Sequence, residues 1–64
     1  MWIYVEAPDD ILLAGEINKL NRTEEVEGTL NDFETYEVRQ VVHTGQGRAL
    51  VEVKQGYEHY STRD

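Results

Sequence analysis

Side chains able to do acid–base, nucleophilic or metal chemistry are few in this chain and far apart. The two imidazoles are His43 and His59. A general base needs a partner within hydrogen-bond reach and a pocket to work in. His43 adjoins a turn whose flanking strands set it against Arg48, and His59 adjoins Glu58, so both read as surface histidines. There is no cysteine, which removes thiol nucleophiles, disulfides and thiolate zinc sites. The serine-hydrolase elbow, the zinc-protease pair and the glycine-rich phosphate loop are all missing. Gly45-Gln46-Gly47 has two glycines, but a dinucleotide or phosphate loop must open a helix. A β-rich segment follows here, so the glycines read as a hairpin turn. These observations point away from an enzyme and imply neither a cofactor nor a metal.

Two groups of residues remain as candidates for binding. Glu24, Glu25, Glu27, Asp32, Glu34 and Glu37 occur with no base between Arg22 and Arg39. They lack the alternating acids, central glycine and terminal glutamate of a calcium loop. A run of this kind either forms a solvated face or presents a negative surface that steers a basic partner into contact. The second group is aromatic: Trp2, Tyr4, Tyr57 and Tyr60 are expected to gather at one end of a sheet. Tryptophan and tyrosine are typical interface anchors. In so short a chain Trp2 or Tyr4 could equally complete the core.

The elements that must position these residues fit in one domain spanning 1–64, with 57–64 a flexible tail. The net charge is −7, from thirteen acids and six bases. That balance opposes direct binding to nucleic-acid phosphates, which needs clustered Lys and Arg. It suits a basic protein surface, and it also keeps a small domain soluble. A 64-residue chain buries only about 60% of its unfolded surface. With disulfides and rich metal sites set aside, self-association is the support still open to it. No basic segment leads into an apolar run at the N-terminus, and Ile11–Ala14 is too short to span a bilayer. A cytoplasmic location away from membranes is therefore expected.

Residues 2–7 read as a strand rich in aromatic and β-branched types, with Ile3, Val5 and Ala7 on one face and Trp2, Tyr4 and Glu6 on the other. Pro8 ends it, and Asp9 or Asp10 caps a helix that runs to Leu20 or Asn21. Leu13, Ile17 and Leu20 form its buried stripe, Ile11 falls opposite, and Asn21 is the expected C-cap. Residues 23–28 read as a solvated connection, with a short edge strand at Val26–Leu30 and a turn at Asn31-Asp32.

The clearest signal is a hairpin over residues 34–55. A two-residue turn at Gly45-Gln46, type II′, sets Val42 against Ala49, Gln40 against Val51, Val38 against Val53 and Tyr36 against Gln55 on one face. The other face pairs Val41 with Leu50, Arg39 with Glu52 and Glu37 with Lys54. A competing register, one residue longer in the loop, sets Gln40 against Glu52 and Val38 against Lys54 and loses both charge pairs. The expected fold is α+β: one helix on a small, mainly antiparallel sheet in the order β-α-(β)-β-β with a C-terminal hairpin.

In size and element order the chain is similar to small oligomeric strand-helix-sheet proteins that bind flavins. In size and charge it is similar to small acidic phage-encoded inhibitors. No signature residue carries either likeness. The leading expectation is a non-enzymatic protein that binds and inhibits a larger, basic-surfaced protein, with the six acids steering and the four aromatics anchoring. The alternative is a homo-oligomer that holds a planar small molecule between subunits.

Overall fold

The computed structural model describes residues 1–60. Five elements follow one another: β1 (Trp2–Glu6), α1 (Asp10–Asn18), β2 (Arg22–Glu25), β3 (Asp32–Gly45) and β4 (Arg48–His59). The strands form one antiparallel sheet in the order β1-β4-β3-β2. The fold is α+β, as the sequence leads one to expect.

The helix begins where Asp9 caps it, its Oδ1 accepting a 2.8 Å hydrogen bond from the Leu12 amide. It ends earlier than its periodicity suggests. Lys19 is the C-cap, and Leu20 and Asn21 continue as a tightened turn, their amides donating to Ile17 and Asn18. Asn21 caps no helix; its Oδ1 accepts from the Val38 amide at 2.8 Å and closes off the edge of β3 beyond β2.

Leu13 is fully buried against Ala49, Val51 and Val53 of β4, ringed by Ile3, Val5, Ala7, Ile17, Leu20, Tyr36 and Val38. Ile11 stands 84% exposed, on the side opposite the buried stripe. The helix lies over β1 and the first half of β4, and no other described element covers the second half. The result is a rod of 51 × 18 × 17 Å with a radius of gyration of 14.9 Å. A compact chain of this length would measure about 11 Å.

The hairpin uses both of the registers that its sequence allows. Tyr36↔Gln55, Glu37↔Lys54 and Val38↔Val53 follow the first. A bulge at Arg39 then shifts the pairing to Gln40↔Glu52, Val41↔Val51, Val42↔Leu50 and His43↔Ala49. A second irregularity at Thr44 brings Gly45 opposite Arg48. The expected Arg39–Glu52 pair is therefore not formed. Val42 moves to the face away from the helix and Val41 to the helix side. His43 lies against Ala49 on the helix side, not against Arg48 on the outer face.

The turn residues explain the shift. Gly47, not Gly45, takes the left-handed conformation, at φ 72°, so the turn centres on Gln46-Gly47 and is not type II′. Gly47 is buried under the β1–α1 corner. Its carbonyl accepts from the Ala7 amide at 2.8 Å, and its own amide donates to Asp10 Oδ1 at 2.7 Å.

The remaining short strand also differs from expectation. Strand β2 is Arg22–Glu25, while Val26–Asn31 is the loop, closed by Val26 N donating to Asp32 O at 2.9 Å and by the Thr29 hydroxyl donating to Val26 O at 2.7 Å. All four β2 residues are exposed, so it has no apolar alternation to reveal it. Strand β4 runs to His59, through part of the expected tail; residues 61–64 lie outside the described ones.

Two substitutions test this account. A Cβ at Gly47 would lie 2.4 Å from the Ala7 carbonyl oxygen at a positive φ, so Gly47→Ala is expected to cost about 2 kcal/mol or more in chemical denaturation. Gly15 is mid-helix with nothing near its missing Cβ, so Gly15→Ala is expected to stabilise the protein by about 0.5–1 kcal/mol.

Candidate functional site

The far half of the hairpin, with β2 beside it, forms an arm that extends past the helix. Residues 22–37 and 54–60 carry seven acids and only two bases, Arg22 and Lys54. Residues 1–21 and 38–53 carry five acids and three bases. Most of the net charge therefore sits where there is no helix to cover the sheet.

On the helix-side face of the arm, strand pairing lines up Arg22, Tyr36 and Gln55, then Glu24, Glu34 and Tyr57, then Asp32 and His59. Glu24 and Glu34 stand directly opposite each other, a like-charge pairing that costs stability in a sheet. Their neighbours partly offset it. Arg22 Nε bonds Glu24 Oε1 at 3.0 Å, and its guanidinium lies 4.0 Å over the Tyr36 ring. The Tyr36 hydroxyl donates to Glu34 Oε2 at 2.8 Å. Asp32 accepts from Tyr57 and bonds His59 Nδ1.

These contacts shift the titration of the groups involved. The Asp32 carboxyl is held below its ordinary value, chiefly by its bond to His59. The carboxylates of Glu34, Asp32 and Glu58 push the phenols of Tyr36, Tyr57 and Tyr60 upward. The Tyr4 phenol is raised by partial desolvation and by its bond to Glu6. A protonated phenol that donates to a carboxylate holds the two side chains together.

The sequence-predicted residues come together only in part. Glu24, Asp32 and Glu34 share the helix-side face, while Glu25 lies opposite Phe33 and Glu27 lies in the loop. Glu37 faces Lys54 on the outer face. The four aromatics do not gather. Trp2 and Tyr4 pair with Glu52 and Leu50 on the outer face of the covered half. Tyr57 pairs with Glu34, about 23 Å further along β4. Tyr60 packs edge-on against Phe33, centroids 5.4 Å apart, at the tip of the arm. Tyr36 is the member that sequence reasoning missed as a site residue. Its place in a hairpin strand across from Gln55 marked it for the core alone.

Among the described residues, no three acidic, histidine or cysteine side chains stand close enough to hold a metal ion. No helix among the described residues is long and apolar enough to cross a membrane. Two shallow grooves flank Lys54, one bounded by Met1, Arg39 and Glu52 and the other by Thr35, Glu37 and Tyr57. No family model matches the chain, and no curated protein or solved structure matches it either.

The phenol contacts have a pH signature. Stability that these phenols contribute is full below pH 10.0 and lost as pH rises through their raised folded values. Phenolate absorbance of the folded protein is expected to develop above pH 10.0 and to return to that value in denaturant. Glu34→Gln should bring the Tyr36 component back toward 10.0. Asp32 works in the other direction: its contribution is full above pH 3.8 and is lost as pH falls through its lowered value.

Proposed function

We propose that this chain is a non-enzymatic binding protein whose acidic arm engages a basic surface on a larger protein and blocks it. The supporting observation is the Glu24–Glu34 pairing beside Asp32, on the sheet face beyond the buried core cluster. Arg22, Tyr36, Tyr57 and His59 bond these carboxylates at the surface, but the buried core does not call for them. A fold selected for stability alone would not set two of them opposite each other. Directed outward, the same carboxylates attract Lys and Arg at long range, and the tyrosines beside them give a rigid surface on which guanidinium groups stack.

Glu24, Asp32 and Glu34 supply the charge on this face, with Glu25 and Glu27 adding to the field from its margins. Tyr36 and Tyr57 act as anchors. Glu37 lies opposite Lys54 on the other face and is left out of this surface. A surface that normally holds nucleic acid is the kind of target such an arm would occlude. This is the mode expected of the small acidic phage-encoded inhibitors that the chain is similar to in size and charge.

The test starts with native mass spectrometry of the protein gently isolated from its source cells, which gives the partner by mass. The triple substitution Glu24→Gln, Asp32→Asn, Glu34→Gln is then compared with the parent chain. Its association rate with that partner is expected to fall at least tenfold, with a flatter salt dependence, while the variant stays folded despite losing the contacts of Glu34 with Tyr36 and of Asp32 with Tyr57 and His59. An unchanged rate, or a variant that loses stability instead of binding, would reject the acidic arm as the binding face.

A further inference from the structure

Among the described residues the sheet has four stretches of open edge, and three are guarded in the usual ways. Strand β2 is charged along its length, with Arg22, Glu24 and Glu25. The far half of β4 carries Lys54 and Glu58. The near half of β3 is bent by irregularities at Arg39 and Thr44. Strand β1 has none of these devices. Trp2-Ile3-Tyr4-Val5 is uncharged and regular, without proline or bulge, and Glu6 at its end is occupied by Arg48 at 3.5 Å and by the Tyr4 hydroxyl at 3.1 Å. An edge left in this state is a template for another strand.

The hydrogen bonds say which groups of β1 are free for that. Met1 and Val53 exchange bonds in both directions, and Ala7 donates to Gly47. By the alternation of an antiparallel ladder, Ile3 and Val5 also bond inward to β4, and the backbone groups of Trp2, Tyr4 and Glu6 point outward.

We propose that β1 pairs antiparallel with β1 of a second copy of this chain, about a two-fold axis at Tyr4. In that register Trp2 meets Glu6 of the copy, Tyr4 meets Tyr4, and every outward backbone group finds its partner. Ile3 meets Val5 of the copy on the helix side. On the outer face the exposed row Tyr4, Leu50, Val42 (54%, 39% and 42% exposed) doubles into one apolar band across both sheets. The charge distribution favours this occupant. Strand β1 and the acidic strand β2 are at opposite edges, so two copies joined through β1 hold their acidic arms as far apart as the sheet allows. Docking through β2 or the arm would bring the carboxylates together. The assembly is closed and isologous, with the arms free at both ends.

Because the chain contains no cysteine, single cysteines can report the register. Directly opposed residues in a hydrogen-bonded pair have Cα atoms about 5.5 Å apart, within disulfide range. Under mild oxidation Tyr4→Cys is expected to link to itself within minutes. Trp2→Cys and Glu6→Cys alone should link at least tenfold more slowly, but rapidly when mixed. Sedimentation of the unmodified chain should give twice 7.4 kDa. A monomer across the micromolar range overturns the proposal. So does a dimer in which Val42→Cys or Leu50→Cys links fastest, since that would put the contact on the sheet face. Should Tyr4→Cys fail to fold, the mixed Trp2→Cys and Glu6→Cys pair decides the register alone.

Discussion

The structure depends on the seat of Gly47. The hairpin turn is held at a corner made by three consecutive features of the chain: the end of β1, the proline that stops it, and the first turn of the helix. The Ala7 amide and the Asp10 carboxylate bond the carbonyl and the amide of Gly47, leaving no room for a side chain there. That contact fixes where β4 begins relative to β1, and so brings Ala49, Val51 and Val53 under Leu13. It also dictates that Gly47, not Gly45, sits in the left-handed region, and the bulge at Arg39 reconciles this turn with the pairing further out.

From that seat the molecule divides into two parts with different requirements. The first is a shoulder in which helix, β1 and the start of β4 bury a four-residue core. The second is an arm of three strands whose side chains are held by one another at the surface, through Arg22 on Tyr36, Tyr36 on Glu34, and Tyr57 and His59 on Asp32. Exposed contacts of that kind are individually weak. The arm keeps its shape mainly through the backbone ladder of β3 and β4, which is continuous with the shoulder.

The sequence makes the shoulder legible because its residues follow strong local rules. Asp9 caps, Pro8 stops a strand, Leu13 and Ile17 keep helical spacing, and β1 alternates cleanly. The inner half of the hairpin was legible in type but not in register. In the sequence only charge pairs worth under about 1 kcal/mol each distinguish the two pairings. A buried backbone contact between residues distant in sequence, Gly47 with Ala7 and Asp10, outweighs them and is invisible in a pattern. Strand β2 was misplaced because a fully exposed edge strand of polar residues has no periodicity to detect. The acidic site was visible as a run without bases. Its arrangement was not, since only the pairing of β2 with β3 shows that Glu24 and Glu34 meet while Glu37 turns away. The aromatics were grouped by type and not by position along β4, which separates them by much of the molecule's length.

The bulge at Arg39 has a consequence for how such a chain changes over generations. Beyond it the arm carries Tyr36 and Val38, which pack against the core, and otherwise side chains that meet solvent and each other. Exposed residues of the arm, unlike Tyr36 or Gly56, can be exchanged for others of different charge or shape with less effect on folding, provided the ladder of β3 and β4 remains. Variation is therefore cheap on the surface proposed to meet other molecules and expensive in the shoulder. Substitutions at the exposed positions of the arm would then change its surface while leaving the ladder and the core in place.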